Sequence, residues 1–255
     1  MAKAYTPGLR RFTKHERRTA QSQLPLVHPA AVEGRTRYRK RVTEPKDMPR
    51  LLKSGMHNKK IGRVVMKGSW KGMPIYTLTL EERVTCPREC HHWLDCYGNK
   101  MNWAKRVKHG QELELRLGYE LPALAEMHPQ GFVVRLHVLG DFYSVPYVHT
   151  WFHFLNTIPE LHIYGYTARS MRGEIGREIW KMNQLFWGRC FIRFSVRHSD
   201  VEPDYEAGDL AVTIYPNTPN QKGIICPAQQ DQTECCATCT LCWEAQHKII
   251  LFKAH

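Results

Sequence analysis

The stretch GFVVRLHVLGDFYSVPYVHTWFHFLNTIPELHIYGYT, residues 131–167, has the pattern of a strand, a helix and a second strand. The apolar runs at 131–142 and 161–167 are typical of buried strands, whereas 145–158 carries its apolar residues at helical spacing. Two strands joined by one helix form a βαβ unit, in which the strands are parallel. The sequence therefore predicts an α/β fold.

The same alternation extends in both directions along the chain. Further strands are predicted at 61–66, 74–82, 190–197 and 209–216, and further helices at 98–127, with a break near Gly110, and at 172–186. We therefore expect a parallel sheet that forms a partial (β/α) barrel across residues 73–222, with functional groups at the C-terminal ends of its strands. The apolar segment IILF, residues 249–252, is expected to pack back on this body.

The basic charge is concentrated in the first quarter of the chain. Residues 1–71 contain 19 Lys and Arg against 4 Asp and Glu, a net of +15, whereas residues 72–255 contain 18 against 20, a net of −2. This asymmetry predicts an extended basic N-terminal region, residues 1–72, that binds nucleic acid. A solubilising tail is the alternative.

The N-terminus has positive charge but no apolar stretch behind it, and no apolar run approaches the roughly 20 residues that cross a bilayer. We expect a cytoplasmic protein without a membrane partner, in which the thiols stay reduced.

Three cysteines lie close together in TCPRECHHWLDCYGN, residues 85–99, directly after a predicted strand. Cys86, Cys90 and Cys96 have the spacing Cx3Cx5C, and three thiolates in one loop can converge on a metal. His91 and His92 provide an alternative, since either imidazole can complete a zinc site. Ordinary buried cysteines are the other alternative.

Five more cysteines occur in ICPAQQDQTECCATCTLCW, residues 225–243, within a C-terminal segment at 223–255. The Cx2Cx2C spacing of the last three is found in bacterial ferredoxin loops and favours iron–sulfur over zinc. We expect ligands at Cys226, Cys236, Cys239 and Cys242, with Cys235 as an alternative to its neighbour. The ninth cysteine, Cys190, begins an apolar strand and is expected in the core.

The numbers of ligands differ between the two groups. Three thiolates leave one iron of a cubane cluster open to a small molecule, whereas four close it. One open and one closed cluster are typical of a redox enzyme with an auxiliary centre, which needs an external electron donor.

The three cysteines after the first predicted barrel strand, with aromatic Tyr97 beside the last, resemble the radical S-adenosylmethionine (SAM) superfamily. The usual motif is Cx3Cx2C with the aromatic residue before the third cysteine, so this chain carries a variant. More closely, TCP, CYGN, HVLGDFYS, YGYTARS, RFSVR and the C-terminal CPAQ, CC and CW resemble a family of phage and actinobacterial proteins, the gene product 88 family, over residues 74–243. These proteins are themselves thought to be similar to radical SAM proteins.

The resemblance implies roles for named residues. Cys86, Cys90 and Cys96 would hold a 4Fe–4S cluster whose open iron binds SAM, and the C-terminal cysteines a second 4Fe–4S cluster. The sequence Leu139-Gly140-Asp141 stands where the superfamily has a motif that contacts the SAM amino group; the alternative is a turn in which Asp141 caps the next helix. Other cofactor-binding candidates are Tyr97, Gly140, Thr167, Arg169, Arg193, Ser195 and Arg197. The last three share one face of a strand, which is either a ligand-binding interior or solvent-exposed.

The resemblance implies reductive cleavage of SAM. The basic N-terminal region and the occurrence of the family in phages lead us to expect modification of a nucleobase in DNA or RNA, in the host cytoplasm if the protein is phage-encoded. A second hypothesis is a non-enzymatic nucleic-acid-binding protein whose iron–sulfur or zinc centres are structural. A zinc deaminase ranks last, because the chain lacks both His-x-Glu and Pro-Cys-x-x-Cys.

Overall fold

The computed structural model describes residues 23–58, 60–201, 209–215, 222–244 and 248–253. Its helices are α1 Pro29–Val32, α2 Gln111–Met127, α3 Val145–Thr157, α4 Glu174–Leu185, α5 Cys236–Cys239 and α6 Leu241–Glu244. Its strands are β1 Val42–Thr43, β2 Lys53–Ser54, β3 Ile75–Thr77, β4 Arg106–Val107, β5 Phe132–Leu136, β6 Leu161–Thr167, β7 Cys190–Arg197, β8 Leu210–Ile214, β9 Ile224–Ile225 and β10 Ile250–Lys253. The expected α/β class is confirmed.

Eight of these strands form one sheet in the order β2-β3-β5-β6-β7-β8-β10-β9. All neighbours in it are parallel except the β2–β3 pair. From β3 to β10 the spatial order follows the chain order, so successive crossovers run in one direction and place their helices on one face. Among the described strands the sheet is open, with β2 and β9 at its edges.

The helices α2, α3 and α4 cover one face of the sheet through a large apolar core. Leu113, Leu117 and Leu121 of α2 recur every four residues and are fully buried. Alternate residues of β5, such as Phe132 and Val134, meet them from the sheet. Fully burying each such side chain contributes about 1.5–3 kcal/mol relative to leaving it exposed.

The opposite face of the sheet is covered without a long helix. A smaller apolar cluster there joins Trp70, Val133, Tyr164 and Trp243. Trp70 stacks on Trp243 with ring centroids 5.2 Å apart and 10° between the planes. The C-terminal cysteine segment therefore lies on the face that the helices leave open.

The predicted helix at 98–127 was partly wrong. Only Gln111–Met127 is an α-helix, and Gly110, with φ +128°, precedes it as the break that the sequence suggested. Before Gly110 the chain forms a 3-10 helix, Tyr97–Lys100, and then β4, which pairs with β1. The 98–110 part is not helical because Arg106 is buried there against several backbone carbonyls.

The predicted strand at 61–66 was wrong. Only an isolated bridge, Val64 to Pro74, occurs there. Arg63 O accepts from Ile75 N–H at the start of β3, and Met66 donates its backbone N–H to Ala237 O, so this segment joins the sheet to the C-terminal cysteine segment without forming a strand. The predicted strands at 161–167 and 190–197 match β6 and β7 residue for residue.

The basic N-terminal region does not stand apart where the structure describes it. Trp93 Nε1 donates to Ala31 O over 3.1 Å, and Thr36 Oγ1 donates to Glu82 Oε1 over 2.7 Å. β2 pairs with β3 across the boundary expected at residues 72–73. The basic groups of residues 1–22 lie outside the described residues. No helix of the described residues is long and apolar enough to cross a membrane.

Candidate metal centres

The first three cysteines lie in the loop that leaves the carboxyl end of β3. Beyond this strand the chain continues beside the end of β5, since Leu80 donates its N–H to Leu139 O over 3.0 Å. The loops that follow β5, β6 and β8 emerge at the same edge, because parallel strands end together. The cysteine loop therefore lies where functional groups gather in α/β proteins.

The thiols of this loop lie close enough to influence one another's ionisation. Burial raises the pKa of the Cys86 thiol well above its ordinary value, and the charges of Asp141, Cys96 and Cys90 raise it further. Burial raises the pKa of Cys90 to about 12, with a smaller contribution from Cys96. In this arrangement Cys86 and Cys90 stay protonated at neutral pH unless a cation accepts them as ligands.

No three His, Cys, Asp or Glu side chains within the described ranges are arranged closely enough to hold a metal ion as they stand. The chemistry of the donors nevertheless fits a soft metal centre, because three half-buried cysteines share one short loop and two of them, Cys90 and Cys96, raise the pKa of the third.

Asp141 connects the cysteine loop to the loops after β5 and β6. Its Oδ1 accepts from Phe142 N–H and from Thr167 Oγ1, each over 2.7 Å, and its Oδ2 accepts from Ala168 N–H over 2.7 Å. Burial raises the pKa of Asp141 to about 6, against the opposing effect of these hydrogen bonds. A carboxylate has about four acceptor positions, so about one remains, on Oδ2.

The expected alternative for Asp141, a cap on the next helix, is not what the structure shows. Ser144 caps α3 by accepting from Tyr147 N–H over 3.2 Å. Gly140 has φ +84°, and a Cβ there would lie 2.6 Å from both Leu80 Cβ and Thr85 Oγ1. Glycine is required at this position because the cysteine loop presses against it.

Arg169, in the loop after β6, joins the cysteine loop to the loop after β5. Its Nε donates to Phe142 O over 2.8 Å and its Nη2 to Thr85 O over 2.9 Å. Thr85 directly precedes Cys86, and its Oγ1 accepts from Asp141 N–H over 3.1 Å. The candidates Thr167 and Arg169 are therefore brought to the first cysteine set, where they bind protein groups.

The two histidines of the cysteine loop bind other protein groups. His91 Nε2 lies 3.0 Å from Thr213 Oγ1 at the end of β8, and His92 Nδ1 lies 3.1 Å from Asp95 Oδ1. The pKa of His91 is lowered to about 4 by burial, and then by His92 and Arg197. A neutral His91 can act as a ligand, but these contacts engage it elsewhere.

A buried ion pair joins the two segments that flank the cysteine loop. Arg106 Nε donates to Glu82 Oε2 over 2.6 Å, and both side chains are almost fully buried. The adjacent Arg83 donates to Asn99 Oδ1 over 2.7 Å, and Tyr97 begins the 3-10 helix that carries Asn99. These contacts fix both ends of the loop.

The second cysteine set lies on the open face of the sheet. The pKa of Cys236 is raised well above its ordinary value by burial and by Cys242, with smaller effects of Cys226 and Cys239. Cys235 instead packs within the apolar cluster beside Gly62, where a Cβ added to the glycine would lie 2.7 Å from the Cys235 sulfur. Cys226, Cys239 and Cys242 therefore each act on the Cys236 thiol, whereas Cys235 raises the pKa of Cys239 and packs beside Gly62.

Aromatic and cationic groups of the sheet surround these thiols. Tyr166 Oη lies 2.7 Å from Cys242 Sγ, and the Arg135 guanidinium lies 4.5 Å from the Tyr166 ring centroid. The buried Tyr164 hydroxyl lies beside Cys236 but has no partner of hydrogen-bond geometry in the described part of the chain. Buried hydroxyls usually have a hydrogen-bond partner, so this hydroxyl fits a site in which a group bound beside the thiols accepts its hydrogen bond.

The three polar candidates on β7 do not form one site. Arg193 is buried and donates to the backbone carbonyls of Cys242, over 3.0 Å, and of Lys248, over 3.0 Å, so it fastens the second cysteine segment to the sheet. Ser195 is half-buried in the strand, and Arg197 is exposed near His91. Neither Arg193 nor Ser195 lies at the first cysteine set.

Sequence reasoning missed Arg135, Tyr164 and Tyr166 as neighbours of the second set. The two-residue alternation along 161–167 places both tyrosines on one face, which was the available signal. It does not reveal that a segment about 70 residues further along the chain covers that face, since Tyr166 and Cys242 are 76 residues apart.

Comparison with known proteins gives one match. The family model described as Gene product 88 matches residues 50–245. No curated protein and no solved structure matches the chain. The matched range is most of the chain. It contains both cysteine sets and the strands of the large sheet from β2 to β9. The chain belongs to the gene product 88 family.

Proposed function

We propose that the protein is a radical SAM-type enzyme that carries two 4Fe–4S clusters and acts on a nucleobase in nucleic acid. The observation that carries the proposal is the placement of three cysteines, Cys86, Cys90 and Cys96, in one loop at the carboxyl edge of a parallel sheet, where Cys90 and Cys96 raise the pKa of the Cys86 thiol. The one-directional winding of the sheet, with its helices on one face, supports a partial (β/α) barrel of radical SAM type.

Three thiolates are the donor set of an open cluster. When bound, such a cluster would supply the electron for reductive cleavage of SAM to methionine and a 5′-deoxyadenosyl radical. Asp141 has one acceptor position left on Oδ2, which suits one hydrogen bond from an ammonium group. Arg169 keeps Thr85, and with it Cys86, against the loop that carries Asp141.

The second set has four thiols, Cys226, Cys236, Cys239 and Cys242, and suits a closed cluster. Arg193 and the tyrosines of β6 hold this set against the sheet. An auxiliary centre here would exchange electrons with an external donor or anchor the C-terminal segment.

The test is to purify the protein without oxygen, measure iron and sulfide, and add SAM and dithionite. We expect a brown protein that releases 5′-deoxyadenosine. Cys90→Ser should abolish this product, whereas Cys190→Ser should retain it, because Cys190 lies in the core and donates to Asn183 Oδ1. A colourless folded protein, or product formation by Cys90→Ser, would contradict the proposal.

A second function is favoured by one observation. Three of the acceptor positions of Asp141 are already used by protein donors, which suits a structural carboxylate rather than a ligand contact. The protein would then be a non-enzymatic nucleic-acid-binding module with structural iron–sulfur or zinc centres. Intact clusters without 5′-deoxyadenosine in the same assay would favour this function, and zinc without iron would identify its metal.

A further inference from the structure

A basic cleft lies within the N-terminal segment, residues 28–41, and reaches Asn102, just beyond the first cysteine loop. Its volume is about 540 Å³, and its lining includes Arg37, Arg39, Lys40 and Arg41. This volume falls within the range of about 300–1,000 Å³ that is usual for ligand pockets. The cleft therefore has room for a nucleotide-sized group.

The charge of the cleft is largely uncompensated. Residues 28–41 contain five Lys and Arg and one acidic residue, Glu33, a net of +4. Glu33 pairs with Arg39. Arg37, Lys40 and Arg41 form no ion pair with any acidic side chain of the described residues, and all three are exposed. Such a group of cations attracts phosphates.

Several contacts join the cleft to the cysteine loop. Tyr38 Oη donates to Asn99 O over 2.5 Å, and Asn99 follows Cys96 by three residues. Val42 and Thr43 pair with Arg106 and Val107, at the far end of the same loop. The Arg106 guanidinium lies 5.1 Å from the Tyr38 ring centroid. A chain bound in the cleft would therefore lie against the loop that carries the first cysteine set.

We propose that this cleft binds the phosphate backbone of a nucleic-acid strand and holds it beside the first cysteine loop. The inference rests on the proposed function in one respect, that the partner is a nucleic acid, and it deepens that function. It locates the site in residues 37–41, rather than in the basic charge of the N-terminal quarter as a whole. These residues precede the range that the family model matches, residues 50–245.

The experiment compares two charge reversals in the full-length, cluster-containing protein. Lys40→Glu/Arg41→Glu changes the cleft, whereas Lys46→Glu/Arg50→Glu changes exposed residues outside the cleft lining by the same net charge. Fluorescence anisotropy would measure binding of labelled single-stranded DNA, single-stranded RNA and duplex DNA at low and raised salt. We expect the cleft variant to bind its best strand at least about tenfold more weakly, with a shallower salt dependence, and the control to change about twofold or less.

The three probes identify which strand supplies the phosphates. Equal weakening by both charge reversals, or no binding to any probe by the wild-type protein, would overturn the inference. The release of 5′-deoxyadenosine from SAM without nucleic acid is measured in parallel. A cleft variant that loses binding but still releases 5′-deoxyadenosine would show that the cleft serves binding and not SAM cleavage. Strong binding that depends on the cleft, without any release of 5′-deoxyadenosine, would overturn the proposed enzymatic function and leave the cleft inference intact.

Discussion

Thr167 donates its hydroxyl to Asp141 Oδ1 over 2.7 Å, joining the end of β6 to the loop after β5. Both residues are almost fully buried. Thr167→Val removes this donor and leaves the carboxylate with one hydrogen bond fewer. We expect the free energy of unfolding at neutral pH to fall by about 1.5–3 kcal/mol, the range for a hydrogen bond to a charged group.

Urea unfolding would measure this loss. Thr157→Val is the matched control, because the Thr157 hydroxyl is exposed and binds only a carbonyl of its own helix, that of His153. We expect the control to change stability by about 0.5 kcal/mol or less. Equal effects of the two substitutions would show that the link between Thr167 and Asp141 contributes nothing to stability.

The buried His137 predicts a loss of stability in acid. Its Nε2 lies 3.0 Å from Tyr147 Oη, and its pKa is lowered to about 3 by burial and by Arg135. The unfolded chain binds a proton near pH 6.5, so this stability is present above that pH and is lost as the pH falls toward 3. Across this window, the loss attributable to His137 is on the order of 4 kcal/mol.

His137→Phe should remove this component of the pH dependence, although it also lowers stability at pH 7 by leaving Tyr147 Oη without its partner. Thermal unfolding from pH 7 to pH 4 would measure the slopes. His153→Phe is the control, since His153 is exposed, and should keep the wild-type slope. Parallel pH curves for wild type and His137→Phe would refute this prediction.

Because Glu82 and Arg106 form an ion pair, we expect the effects of substituting them on the free energy of unfolding to be non-additive. Both side chains are almost fully buried, and Thr36 Oγ1 also donates to Glu82 Oε1. Glu82→Gln leaves the guanidinium charge unpaired and should destabilise the protein by about 3–5 kcal/mol. Glu82→Gln/Arg106→Met should be more stable than the sum of the single changes predicts, because no buried charge remains.

A double-mutant cycle by urea unfolding would measure this coupling. Limited proteolysis of the segment 81–107 gives a second measurement, since the pair fixes that loop. The ion pair between Lys108 and Glu44 is the exposed counterpart, with both side chains about half exposed, and its coupling should be about 1 kcal/mol or less. Additive effects at the buried pair would contradict the role given to it.

The parallel core could be predicted from the sequence because its signals are local. The apolar runs at 161–167 and 190–197 contain their own periodicity, and Gly110 shows the helix break by itself. The strand prediction at 61–66 failed because only the middle of that segment pairs beside β3, whereas both of its ends bind a distant residue: Met66 donates its N–H to Ala237 O, and Ala237 donates its N–H to Ile61 O. Local hydrophobicity does not distinguish a sheet neighbour from a covering layer.

The candidate site was predictable in part for the same reason. The two cysteine sets are dense in sequence, so the spacing identified them without the fold. The separation of Arg193 from Thr167 was not predictable, since it depends on which face of the sheet each residue occupies. The polar face of β7 is covered by the Cys242 segment at Arg193 and becomes exposed to solvent at Arg197.

The difference between Cys235 and Cys236 predicts unequal metal loss. Burial, Cys242, Cys226 and Cys239 raise the pKa of Cys236, whereas the Cys235 sulfur packs beside Gly62. Under the proposed function with two clusters, Cys236→Ser should lose the iron of one cluster, about half of the total, and Cys235→Ser should retain it. Iron and sulfide analysis of anaerobically purified protein would measure both. Loss of iron from Cys235→Ser alone would reverse the assignment.

The contact between Tyr166 Oη and Cys242 Sγ, 2.7 Å apart, predicts a shift in reduction potential at the second set. A hydroxyl that donates to a ligand sulfur stabilises the more negative, reduced state, so Tyr166→Phe should lower the midpoint potential. A charge-assisted hydrogen bond contributes about 1.5 kcal/mol, and a one-electron couple shifts by about 59 mV per tenfold change, so the decrease is on the order of 50 mV. Redox titration followed by electron paramagnetic resonance would measure it, with Tyr119→Phe, on the exposed face of α2, as the control. Because the substitution leaves all four thiols in place, an unchanged iron content with an unchanged potential would show that the Tyr166 hydroxyl does not donate to the cluster.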